Sequence, residues 1–152
     1  MSKFKKNKKS KLAPISTASL PDIVFMLLFF FMVTTVMRET EMLVENILPQ
    51  ATEVKKLERK SLVSYIYIGS PKGNNRKMKY GKEAKIQLND AYARVGDIQA
   101  FIIAERETRA EEEVPLLTTS IKADVNVKMG IVSDIKQELR KAQAYKINYS
   151  TR

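Results

Sequence analysis

The sequence predicts a single transmembrane α-helix followed by a small α+β domain, with two helices on one face of a mixed β-sheet. Three observations carry this. Residues 23–37 read IVFMLLFFFMVTTVM, fifteen in a row without a charge. The segment SLVSYIYIG (61–69) is β-branched and aromatic, as strands are. Two later stretches space their apolar residues at helical intervals between short strand candidates.

At about 100–200 residues per domain, 152 residues leave room for one compact domain with appendages. His, Cys and Trp are absent. That excludes a disulfide framework, a Cys/His zinc site, a Cys or Ser-His nucleophile pair and a haem axial histidine. No cofactor is expected. The formal charge is +10, from 27 Lys+Arg against 17 Asp+Glu. A balance this basic suggests nucleic acid or an anionic membrane surface, and the placement of the charge decides. Lys3, Lys5, Lys6, Lys8, Lys9 and Lys11 stand at the front without an acid. From Pro14 to Met37 the only charge is Asp22. The chain therefore divides into a basic tail (1–13), an apolar span (14–37), a linker (38–60) and a mixed-charge domain (61–152).

The apolar run has three readings. A cleaved signal peptide needs a small-residue cleavage site, and VTTVMRETEM offers none. A core helix is not normally apolar all round with three consecutive Phe, and the remaining chain is too small to wrap it. A single uncleaved span remains. Lys11 and Arg38 bracket 26 residues, or about 40 Å of helix, which matches a bilayer with its headgroups. The lysines before it place the N-terminus in the cytoplasm by the positive-inside rule. Residues 38–152 then lie across the membrane, in a bacterium the periplasm. A domain exported there would not meet nucleic acid.

Asp22 is the most informative residue. An Asp near the centre of a span costs about 2.5–3.5 kcal/mol on insertion scales, and hydrocarbon disfavours the ionised form of a carboxyl. No basic residue of the span can pair with it. A titratable carboxyl without a partner in its own chain points to a proton site completed by another subunit. The alternative places Asp22 at the helix start. Pro21-Asp22 suits a first turn, and the helix would then run about 25 Å to Met37.

In the linker, Met42, Leu43, Val44, Ile47 and Leu48 form an apolar patch. They pack on the domain or continue the helix, or else offer a docking strip for a partner. Beyond SLVSYIYIG, SPKGNN (70–75) is a turn by composition. RKMKYG (76–81) and KIQLN (85–89) alternate as short strands. Asp90 is placed to cap a helix carrying Val95, Ile98, Phe101 and Ile102. VPLLTTSIKADVNV (114–127) holds a strand. After Met129-Gly130 a helix aligns Ile131, Ile135 and Leu139. YKINY (145–149) closes the domain as a strand. The expected order is β-β-β-α-β-α-β. No catalytic constellation or Gly-rich phosphate loop emerges, so the chain reads as no enzyme. Lys72, Arg76, Lys77, Lys79, Lys82 and Lys85 cluster with Tyr80 around the expected hairpin. They are either a solvated edge guarded by lysine or a contact for an anionic polymer or partner strand.

STASLPDIVFMLLFFFMVTT (16–35) resembles the transmembrane segment of the ExbD/TolR family of biopolymer-transport proteins. There a single Asp follows a Ser/Thr-Pro-rich stretch and precedes an apolar run. IKADVNVKMGIVSDIKQELRKAQAYKINYST (121–151) is similar to the family's strand, Ala-Asp, helix and closing strand. Gln143-Ala144 stand where the family often has Gly, and residues 70–115 match least. The resemblance implies a single-pass inner-membrane subunit. It works in a proton-driven motor with an ExbB/TolQ-like polytopic pentamer, which encloses two such helices. Protonation and deprotonation of the Asp couples the proton motive force to motion, and that role falls on Asp22. Phe29, Phe30 and Phe31 would pack in the partner's pore or against each other. The periplasmic domain dimerises and engages a TonB-like protein, energising transport across the outer membrane. In related TolR-like systems it binds peptidoglycan and envelope proteins and serves envelope maintenance.

Overall fold

The computed structural model describes residues 17–35 and 40–152. The expected tail, and residues 14–16 and 36–37 of the expected span, lie outside the described residues. The chain divides into two units at Glu39–Thr40.

The first unit contains one helix, α1 (Ser19–Thr34). Pro21 sits in its first turn, where the missing N–H has no intrahelical partner to lose. At its other end Thr34 Oγ1 donates to the Phe30 and Phe31 carbonyls at 2.9 and 3.1 Å. Thr35 Oγ1 donates to the Met32 carbonyl at 3.1 Å. The Thr35 bond satisfies a terminal carbonyl that would otherwise need water, while those of Thr34 add to carbonyls near the helix end, of which that of Phe31 also accepts the Thr35 N–H.

The second unit is an α+β domain on a five-stranded mixed sheet. Its elements are β1 (Val63–Gly69), α2 (Asn74–Tyr80), β2 (Lys85–Leu88), β3 (Ala91–Ala93), α3 (Asp97–Glu107), β4 (Thr118–Ala123), α4 (Met129–Lys141) and β5 (Ile147–Tyr149). The strand order is β3-β2-β1-β4-β5. β1 runs antiparallel to β2 and parallel to β4, and β5 is parallel to β4.

Period-two alternation sorts β1. Ser64, Ile66 and Ile68 are buried, while Val63, Tyr65 and Tyr67 are half-buried on the other face. Ile66 pairs with Ile121 and Leu88, and Ile68 with Ile86. These side chains meet Ile98 and Ile102 of α3 and Val132, Ile135 and Leu139 of α4. Each such side chain contributes roughly 1.5–3 kcal/mol through burial. Helices α3 and α4 therefore cover one face, as the 3.6-residue spacing indicates.

Three local expectations are corrected. RKMKYG is no strand: residues 74–80 form α2, bracketed by Gly73 and Gly81 at φ 85° and 86°. The alternation of Met78 and Tyr80 was too short to separate the two periods. The strand that fills the sheet is β3. Asp90 is no helix cap; it lies in the turn between β2 and β3. The helix starts seven residues later, where Asp97 Oδ2 accepts the Arg94 N–H at 2.8 Å. Val95 thus precedes α3. At the end of α4, Gln143 adopts φ 58°. The Ala144 N–H reaches the Leu139 carbonyl at 2.8 Å, and that of Gln143 the Arg140 carbonyl at 3.0 Å. This is the Schellman closure that Gly usually makes, built here on Gln.

The apolar patch of the linker packs on the domain in part: Val44 is buried and Met42, Leu43 and Leu48 half-buried, while Ile47 is exposed. Residues 41–49 form a strap across the strand ends, and Val44 is buried and bridged to Pro71. The Glu45 N–H donates to the Ser70 carbonyl at 2.7 Å, and the Lys72 N–H to the Leu43 carbonyl at 2.8 Å. Gln87, fully buried, accepts the Leu43 N–H at 2.8 Å and donates to the Glu41 and Asn89 carbonyls at 2.6 and 2.7 Å. Asp124 Oδ1 accepts the Ile47 N–H at 2.7 Å. Gly69 makes room for the strap: a Cβ there would stand 1.9 Å from the Glu45 carbonyl oxygen.

Two substitutions test the strap. Gly69→Ala should destabilise the domain by about 2–3 kcal/mol, while Gly96→Ala, whose added methyl meets nothing within 4 Å, should stay within about 0.5 kcal/mol. Gln87→Leu leaves the Leu43 N–H and the Glu41 and Asn89 carbonyls without the partner they have in the structure and should cost about 1–3 kcal/mol. Urea unfolding followed by circular dichroism measures both.

Candidate functional site

Asp22 is the fourth residue of α1, in its first turn. The helix is preceded by Ala18, whose side chain makes no cap bond. From Ile23 to Thr34 no residue is charged. Residues four and eight positions on share a helix face. Asp22, Met26 and Phe30 accordingly lie along one shallow groove, flanked by Ile23 and Leu27. Phe29, Phe30 and Phe31 point in successive directions around the helix, and the Phe30 and Phe31 rings meet edge-on at 6.4 Å.

No residue of α1 is buried. A helix apolar on every side is not a stable solute in water; something apolar must cover it. Sixteen residues reach about 24 Å, short of a hydrocarbon core of about 30 Å. Among the described residues, no helix is long and apolar enough to cross a membrane.

The domain carries a second group of notable side chains on the sheet face away from α3 and α4. The rings of Tyr65 and Tyr67 stack at 6.2 Å. Lys122 Nζ lies 4.4 and 5.4 Å from their centroids. The register explains the grouping, since Lys122 pairs with Tyr67 across β1 and β4. Burial and the nearby Lys60 hold the Lys122 ammonium below its ordinary range. Burial and then Tyr65 push the Tyr67 phenol upward. Sequence reading missed this trio, although alternation along β1 already directs both tyrosines outward.

The basic cluster is divided. Arg76 Nη2 pairs with Glu41 at 2.8 Å, and Lys77 Nζ with Glu45 at 2.8 Å. Both carboxylates belong to the strap, so two cations of the cluster serve the fold. The Tyr80 ring packs 4.9 Å from that of Tyr92, whose hydroxyl donates to the Leu43 carbonyl at 2.9 Å.

A cavity of about 370 Å³ lies at the opposite end of the sheet, lined by Ser64, Ile102, Glu105, Thr119 and Tyr145 among others. Ser64 Oγ donates to Glu105 at 3.2 Å. It contains no paired carboxylates or activated nucleophile. Among the described residues no group of His, Cys, Asp or Glu could hold a metal ion. The arrangement offers one carboxyl on an apolar helix and, on the domain, the Tyr65–Tyr67–Lys122 group.

A family model described as "Biopolymer transport protein ExbD/TolR" matches residues 8–152. The match takes in both units. No curated protein and no solved structure matches the chain.

The Lys77 ammonium and the Ser70 hydroxyl hold the Glu45 carboxyl below its ordinary range, the Lys77 hydrogen bond contributing most. A depressed carboxyl contributes stability above its unfolded value, and that stability is lost as pH falls through the folded one. The strap should therefore loosen as pH falls below the ordinary carboxylate range. Amide exchange at Glu45 and Lys72, followed from pH 6 downward, should accelerate beyond the change in intrinsic rate, and Lys77→Met should remove that excess.

Proposed function

We propose, from the premise that the chain belongs to the ExbD/TolR family of biopolymer transport proteins, that it is a motor subunit and not an enzyme, and that Asp22 is its proton-carrying group. The observation that carries this reading is the isolation of Asp22. It is the single charge between Lys11 and Arg38, and it lies on a helix with no other ionisable residue. The uncovered apolar surface of α1 supports a second point. The helix is embedded in the inner membrane, and an ExbB/TolQ-like polytopic partner covers it. Moving one charge through 100 mV is worth about 2.3 kcal/mol. A carboxyl that gains a proton on one side and loses it on the other can draw on that energy, provided the partner supplies the proton paths.

On this reading the tail is cytoplasmic and the domain periplasmic, where a dimer of the domain passes the motion to a TonB-like protein. The groove of Asp22, Met26 and Phe30 faces the partner, since a carboxyl facing lipid could not exchange protons.

The test is Asp22→Asn beside Asp22→Glu, in a strain dependent on TonB-type import with the partner subunits present. Asn keeps shape and hydrogen bonding but cannot titrate. Uptake should fall to background with Asn while the protein accumulates and co-purifies with its partner, and Glu should retain part of it. Full uptake with Asn would overturn the proton role and favour a TolR-like or adaptor function in envelope maintenance, with Asp22 serving the first turn.

A further inference from the structure

Four lysines of the cluster remain once the strap is in place, and one of them, Lys85, is half-buried in β2. Lys72, Lys79 and Lys82 are exposed. The ion pairs of the described residues are Arg76–Glu41, Lys77–Glu45 and Lys141–Glu138, so none of these three has a carboxylate partner. Lys79 Nζ lies 5.3 Å from the centroid of the neighbouring Tyr80 ring.

Their placement follows helical geometry. Arg76 and Lys77 are drawn to the strap. Asn75, Met78 and Lys79 stand at i, i+3 and i+4, on one face of α2. Met78 is 87% exposed, more than any other large apolar side chain of the described residues. Lysines guarding a solvated surface would account for the charge but not for a bare methionine at its centre. Cations around one projecting apolar side chain are what an interfacial element presents to a lipid surface.

The covalent chain says which surface is in reach. Arg76 holds Glu41, and Glu41 follows Thr34, the last residue of α1, by seven positions. Seven residues of chain extend at most about 25 Å. With α1 embedded as proposed above, the surface of its bilayer is therefore the nearest extended partner for α2. We propose that α2 docks on a bilayer surface carrying anionic phospholipid. Lys72, Lys79 and Lys82 meet the phosphates, and Met78 enters the boundary between headgroups and acyl chains. The docking rests on the membrane embedding of α1.

The experiment uses the full chain reconstituted into vesicles. The chain has no cysteine, so Asn75→Cys creates a single labelling site for an environment-sensitive fluorophore. One vesicle set is phosphatidylcholine alone, and the other also contains phosphatidylglycerol. The label should shift to the blue with phosphatidylglycerol only, and about 0.5 M salt should reverse the shift. Met78→Ser should reduce it. Each lysine removed should lower the docked-to-free ratio about fivefold, so that K72E/K79E/K82E abolishes the shift. An alkaline carbonate wash runs in parallel. A chain that washes off overturns the membrane reading and the docking with it. A chain that stays, with equal emission in both vesicles or a shift indifferent to charge reversal, overturns the docking alone.

Discussion

Everything in the domain depends on how the strap's backbone polar groups find partners. An extended segment that crosses a sheet has N–H and C=O groups that must be satisfied once water is excluded. Here the partners come from three places in the sequence. Ser70 and Lys72 supply backbone bonds, Gln87 supplies a buried amide, and Asp124 supplies a carboxylate. Gly69 supplies the empty volume that lets the strap approach. Removing any one of them leaves the others holding groups without their counterpart. The salt bridges to Arg76 and Lys77 are more exposed and matter less, since surface pairs typically contribute under about 1 kcal/mol.

Much of the fold was legible. The inward alternation of Ser64, Ile66 and Ile68 marks β1, and the stripes through Ile98 and Ile102, and through Ile135 and Leu139, mark the helices. These signals are strong because one face of each element is buried and the other is not. The errors fall where that contrast is weak. α2 buries no residue, so Met78 and Tyr80 carried no reliable period. β3 has three residues, none of them fully buried, and leaves almost no pattern. Asp90 and Asp97 are both plausible starts for a helix; only the turn after β2 separates them.

The site divides in the same way. Asp22 stood out because a charge in an apolar run is costly and therefore informative. Gln87 did not, because glutamine at an outward strand position ordinarily meets water. Its burial is created by a segment more than forty residues away, and local spacing contains no trace of that contact. The Ala123-Asp124 pair belongs to a motif of the resemblance, yet what Asp124 does emerges only from its bond to Ile47.

The sequence positions that hold the strap set an order of events. The strap comes early in the chain, but Gln87 and Asp124 come tens of residues later, and the Arg152 N–H closes on the Pro49 carbonyl at 2.8 Å. β1 likewise waits for β4 to complete the centre of the sheet. Residues 41–49 meet Ser70, Lys72 and Gln87 first along the sequence, and Asp124 and Arg152 only much later. The strap's full set of partners is therefore complete only when the end of β4 and the residues after β5 are in place.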